Sequence, residues 1–166
     1  PSCCLSPNIK NIGSHGKNII CFGDSITYGK GATAGNDYPS ILARKLDGIP
    51  VINAGVNGDT TRDALKRLKR DVLDKDPLLV IIELGANDRL RRIPLEQTLS
   101  NLERMIITIQ ERGAMVALVE VRDGWILYGL GKGMRRLAKK YKTIFIPDIL
   151  EGILGNKDMC SDPCHP

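Results

Sequence analysis

Ser25 lies in the segment CFGDSITYG, residues 21–29, directly after a short apolar run over residues 19–22. A serine hydroxyl becomes a useful nucleophile near neutral pH only when a base sits beside it. The chain holds two histidines, His15 and His165. His15 falls in a stretch of turn formers, which leaves His165 as the candidate imidazole base. Asp162 precedes His165 by three residues, so a turn can bring its carboxylate to the ring, fix the tautomer and stabilise the imidazolium. Acyl transfer also needs donors aimed at a forming oxyanion. The candidates are the Ser25 N–H, the Gly58 N–H and the uncharged side-chain amide of Asn87.

These residues need elements to hold them, and the apolar pattern supplies a set. Residues 18–22, 51–54, 78–84, 115–121 and 143–146 read as strands. The third, LLVIIEL, is nearly all apolar, as suits a strand covered on both faces. Helices are predicted over 37–46, 60–74, 94–112 and 133–141. Asp59 or Thr60 can cap the second, with Ala64, Leu65, Leu68, Val72 and Leu73 on its inner face. The third carries Leu95, Leu99, Leu102, Ile106 and Ile109 as its stripe, opens after Pro94 and ends at Gly113. The fourth turns Met134, Leu137 and Ala138 inward.

Strands alternating with helices imply an α/β fold: a doubly wound, three-layer α/β/α sandwich on a five-stranded parallel sheet. Ligands of such sheets sit beyond the carboxyl ends of the strands. The unusual polar segments follow the strands: 23–25 after the first, 53–61 after the second, 85–88 after the third and 162–165 after the fifth. Each alone reads as ordinary turn or cap chemistry. Their joint placement on one rim points to a site.

Other features bound the function. The 166 residues suit one domain with one core. No apolar run of 18 or more residues offers a membrane span. The net charge of +5 comes largely from helical stretches, Lys66, Arg67, Lys69, Arg70 and Arg135, Arg136, Lys139, Lys140, which read as solvated helix faces. Aromatics are only 4% of the chain, too few for base-stacking platforms, so no nucleic-acid partner is expected. Cys21 falls in the first strand as a small buried hydrophobe. Cys160 and Cys164 could pair as a disulfide, or join His165 at a metal that would lack a recognisable fourth ligand. No metal or other cofactor is expected. Residues 1–17 read as a tail or tether. The chain does not begin with Met, and its early Cys3–Cys4 pair before a polar linker suits a processed, lipid-anchored and exported protein better than a cytoplasmic one.

The blocks GDSIT, NAGVNGDTT, GAND and DPCH, in that order over residues 18–166, resemble the SGNH (GDSL) hydrolase family. VINAGVNGDTT and VIIELGAND most resemble its bacterial arylesterase, thioesterase and lysophospholipase branch. The resemblance implies a flavodoxin-like fold and metal-free serine hydrolysis of small acyl esters, thioesters or lysophospholipid-like substrates. It places Ser25 as nucleophile, Asp162 and His165 as its partners, and Gly58 and Asn87 in the oxyanion hole. The α/β-hydrolase elbow Gly-x-Ser-x-Gly is not met, since position 27 is Thr.

Two departures stand out. Pro163 and Cys164 occupy places that are small or aliphatic in the family, and the family continues past the histidine with a helix, so the domain over 18–166 is expected to lack its C-terminal helix. Residues 122–130 follow the fourth strand, and Trp125, Ile126, Leu127 and Tyr128 are the candidates for an acyl pocket. Asp24 borders the same rim as a further pocket candidate, expected to brace the loop by hydrogen bonding rather than to act in catalysis. A transacylase with the same residues, or a non-catalytic flavodoxin-like binding module, would share much of this pattern.

Overall fold

The computed structural model describes residues 8–121, 128–153, 156, 158–162 and 165. Five strands form one parallel sheet: β1 (Asn18–Gly23), β2 (Val51–Gly55), β3 (Pro77–Glu83), β4 (Met115–Val119) and β5 (Ile144–Ile146). Their order, β2-β1-β3-β4-β5, is that of a flavodoxin-like doubly wound sheet. In register, Gly23 pairs with Gly55 on one side and Glu83 on the other, so the ends of three strands meet at one place.

Among the described residues, six α-helices accompany the sheet: α1 (Ser25–Tyr28), α2 (Tyr38–Lys45), α3 (Thr61–Asp71), α4 (Ala86–Leu90), α5 (Leu95–Glu111) and α6 (Tyr128–Tyr141). On one face Ile20, Phe22, Val80, Ile82, Val116 and Leu118 pack against Ala64 and Leu68 of α3, Leu102, Met105, Ile106 and Ile109 of α5, and Met134 of α6. Fully burying each such side chain contributes ~1.5–3 kcal/mol, so this face is the main core. The other face gathers Ile19, Cys21, Ile81, Ala117 and Val119 under Tyr38 and Leu42 of α2. Among the described residues no helix is long and apolar enough to cross a membrane.

Element boundaries moved where backbone conformation overrode the apolar pattern. The helix expected over 60–74 ends at Asp71; Leu73–Lys75 form a 3-10 turn, and Asp76 takes φ 48° to lead into β3. Thr60 caps α3, its hydroxyl accepting from the Asp63 N–H while Asp63 accepts from the Thr60 N–H, a reciprocal capping box. Strand β4 ends at Val119, short of 121. Helix α6 begins at Tyr128, well before the expected 133. Its glycines weaken helix propensity, but a Cβ at Gly131 would overlap the Glu120 carboxylate and one at Gly133 would overlap Leu99. Glycine at these positions leaves room for the Glu120 and Leu99 side chains to pack close to the helix, where propensity alone disfavours it.

Two further expectations fail. Residues 8–17 are not a loose tail. Ile9 is buried, the Lys10 N–H donates to the Lys142 carbonyl at 2.9 Å, and Asn11 Nδ2 donates to the carbonyls of Gln110 (2.8 Å) and Ala114 (3.0 Å). Arg67 is not on a solvated face. It is buried, its guanidinium lies 4.4 Å from the Phe22 ring centroid, and it donates to Asp59, Asp71 and two backbone carbonyls.

Candidate active site

The turn after β1 begins with Asp24, whose Oδ1 accepts from the Ile26 N–H at 3.1 Å and so caps α1. That cap holds Ser25 at the first position of the helix, over the strand ends. Helix α1 can sit this close because Gly23 and Gly55 have no side chain: a Cβ on Gly23 would overlap Thr27, and one on Gly55 would overlap the backbone at Tyr28.

Ser25 Oγ lies 2.8 Å from His165 Nε2. On the far side of the ring, Nδ1 is 2.8 Å from each oxygen of Asp162. A carboxylate only accepts, so Nδ1 carries the proton and Nε2 is left to accept from the Ser25 hydroxyl. Asp162 and His165 are joined by a small antiparallel bridge, and Ser161 N–H also donates to the His165 carbonyl at 2.9 Å. Lys30 Nζ approaches Asp162 at 3.8 Å. Cys160 is a free thiol whose Sγ donates to the Ile153 carbonyl.

Gly58 follows β2 with φ 76°, a conformation that favours glycine. Its carbonyl accepts from Arg91 at 2.7 Å. Among the described residues, neither Ser25 N–H nor Gly58 N–H has a protein acceptor. Asn87, in the first turn of α4, donates one amide proton to Asp24 Oδ2 at 2.9 Å, which leaves its second amide proton uncommitted. Asp24 itself is buried and stands behind Asn87, so it braces the loop and does not line a pocket. Trp125, Ile126 and Leu127 lie outside the described residues. Tyr128 opens α6, and the direction of its side chain is likewise outside the description.

Three anchoring residues were missed by the sequence reading. Asp88 is buried and accepts from the Thr61 N–H (2.8 Å), the Thr61 hydroxyl (2.5 Å) and the Thr98 hydroxyl (3.2 Å), which ties the Gly58 loop to α4 and α5. Arg67 donates to the Gly23 carbonyl at 3.0 Å, the Ala54 carbonyl at 2.8 Å and Asp59 at 2.6 Å, binding the ends of β1 and β2 to the same loop. Glu83 is buried at the end of β3 and accepts from the Thr27 hydroxyl at 2.9 Å. Glu83 did carry a signal: a lone acid in an otherwise apolar strand. Asp88, the last residue of GAND, was quoted only as part of a block.

A model of the GDSL-like lipase/acylhydrolase family matches residues 21–166. The chain belongs to that family. It is 32% identical over 163 residues to the arylesterase of Vibrio mimicus, covering 90% of this chain and 80% of that protein. Thioesterase 1/protease 1/lysophospholipase L1 of Escherichia coli K12 is 27% identical over 158 residues, covering 89% of this chain and 74% of the relative. The crystal structure of AlinE4, an SGNH-hydrolase family esterase, superposes with a TM-score of 0.81 at 33% identity, covering 92% of this chain and 87% of that one. The protein is thus a serine hydrolase of the SGNH type that acts on ester bonds.

Proposed function

We propose that the protein cleaves carboxylic ester or thioester bonds of small acyl or lipid substrates through an acyl-enzyme on Ser25. The observation that supports this most is the continuous line from Ser25 Oγ through His165 to Asp162, each step 2.8 Å. In the first step Ser25 Oγ bonds to the acyl carbon while its proton passes to His165 Nε2. Asp162 holds the ring and stabilises the imidazolium. The negative charge on the former carbonyl oxygen is met by the N–H groups of Ser25 and Gly58 and by the free amide proton of Asn87. Collapse expels the alcohol or thiol, which takes the proton from His165. Water then attacks the acyl-enzyme, giving its proton to His165, and Ser25 leaves with that proton restored. The substrate class follows the relatives, one named an arylesterase and another a thioesterase and lysophospholipase.

The test is release of p-nitrophenol from acetate and octanoate esters, beside labelling by a fluorophosphonate. The expected result is turnover and labelling that both vanish in Ser25→Ala. The ratio of the two esters reports how long an acyl chain is accepted. Retained turnover in Ser25→Ala would overturn the reading.

A further inference from the structure

The hydrolytic steps above make no use of Glu83, yet this acid is only 1% exposed at the end of β3. Its carboxyl lies against that of Asp24, itself 2% exposed. Two buried carboxylates in contact cannot both ionise without a large penalty, so the pair retains one proton. The donors around them decide where it rests. Asp24 accepts from two N–H groups, Ile26 N at 3.1 Å and Asn87 Nδ2 at 2.9 Å, and has the His165 ring within electrostatic reach. Glu83 receives one hydroxyl, Thr27 Oγ1 at 2.9 Å, and one N–H, that of the Asp24 backbone, and has no imidazole among the charges that reach it. Since the Thr27 proton points to Glu83, the Tyr38 hydroxyl at 3.2 Å must donate to Thr27 in turn, and the Cys21 thiol lies beyond Tyr38. Among the described residues, no Lys or Arg is among the groups that act on Glu83. The anion is therefore better supported on Asp24. Burial and the Asp24 charge push the Glu83 carboxyl well above its ordinary range, consistent with this assignment.

We infer that Glu83 is a positioning residue: as the neutral acid it donates to the Asp24 carboxylate, and through Asp24 Oδ2 it holds the Asn87 amide at the angle an oxyanion requires. Asp24 has two jobs, capping α1 beneath Ser25 and aiming Asn87. A donor at its back keeps the carboxylate from rotating away from either. The inference rests on the oxyanion role proposed for Asn87.

The experiment measures kcat and KM on p-nitrophenyl acetate for Asn87→Ala, Glu83→Ala, Glu83→Gln and the double variant Glu83→Ala/Asn87→Ala, with thermal unfolding of each. Asn87→Ala is expected to lower kcat about a hundred- to a thousandfold. Glu83→Ala should lower kcat by roughly ten- to a hundredfold through a misplaced donor, with KM nearly unchanged. Glutamine can donate from its amide to Asp24 and accept from Thr27, so Glu83→Gln should recover kcat to within about threefold of the native protein. In the double variant the Glu83 change should add less than about threefold to the loss from Asn87→Ala, because both act on one donor. Infrared difference spectra should show a protonated carboxyl band that Glu83→Gln removes.

Several results would overturn the inference. Glu83→Gln as damaging as Glu83→Ala would mean that an ionised group is needed. Fully additive losses in the double variant would mean that Glu83 acts by another route. An absent carboxyl band would remove the neutral acid. If Asn87→Ala itself leaves kcat intact, the oxyanion role of Asn87 fails, a result separable from the others. Should Glu83→Ala not fold, Glu83→Gln and the infrared band still decide.

Discussion

The two halves of the site are built differently. The half that presents Ser25, Gly58 and Asn87, the last two proposed as oxyanion donors, stands on the ends of β1, β2 and β3, with Asp24, Arg67, Glu83 and Asp88 all buried beneath it. The half that presents His165, the proposed base, rests on fewer buried groups: His165 is tied to Asp162 by a narrow bridge, the Asp162 side chain is 37% exposed, and the neighbouring Lys30 is 51% exposed. The difference teaches that geometry which must be exact for charge stabilisation is bound into the core. The base is held mainly by its own short segment and by the hydrogen bonds it makes. Changes in the buried groups beneath the first half should cost folding and turnover together, whereas changes in the second half, or in Ser25 itself, should cost turnover with little loss of fold.

The largest effect should come from Ser25→Ala, with turnover reduced by roughly 10⁴-fold or more and the melting temperature almost unchanged. Asp162→Asn should lower kcat by about 10²- to 10⁴-fold, because the amide no longer fixes the tautomer of His165. Circular dichroism on heating should show little destabilisation, since that carboxylate is partly solvated. A melting loss as large as those below would erase the contrast between the halves.

Arg67→Met sharpens the contrast from the other side. It leaves Asp59 and the Gly23 and Ala54 carbonyls without their donor, and breaking such a buried pair costs about 3–5 kcal/mol. Urea unfolding should show this loss, accompanied by lower kcat. Asp88→Ala should behave likewise at ~1–3 kcal/mol per orphaned donor, through Thr61 and Thr98.

A pH effect follows from Glu83, whose folded-state carboxyl is raised well above its ordinary value of 4.5 by burial and by Asp24. Between that ordinary value and the raised one, the folded state binds more protons than the unfolded state. Stability is therefore greatest at and below pH 4.5 as far as this group is concerned, and falls as pH rises through the window. Glu83→Gln lacks this dependence. Its melting temperature relative to the native protein should rise as pH is raised from acid to neutral, and a constant difference would contradict the raised carboxyl. The smallest effect should be Lys30→Ala: the 3.8 Å pair with Asp162 is exposed, so stability should change by ~0–1 kcal/mol and kcat by less than about threefold.

Much of this was legible in the sequence. The order of strands and helices follows from apolar periodicity, and the rim position of Ser25, Gly58, Asn87 and His165 follows from the rule that parallel sheets bind at their carboxyl ends. What was not legible depends on neighbours distant in the chain. Arg67 looked like one of several exposed bases, but it lies over Phe22 and reaches the Gly23 carbonyl 44 residues away. Residues 8–17 looked like a tail until Asn11 met two carbonyls about a hundred residues on. That glycines lie within the first turns of α6 made its early start hard to read, and only the fold shows Glu120 and Leu99 in the space a side chain at Gly131 or Gly133 would take.

Periodicity and motif order are local properties of the chain, so fold class and the residue types able to act can be read along it. Only the tertiary structure decided which polar groups are removed from water, and so which acids share a proton and which amide is aimed. Glu83 shows why: its burial, its proton and its route to Asn87 all depend on three strand ends meeting at one point.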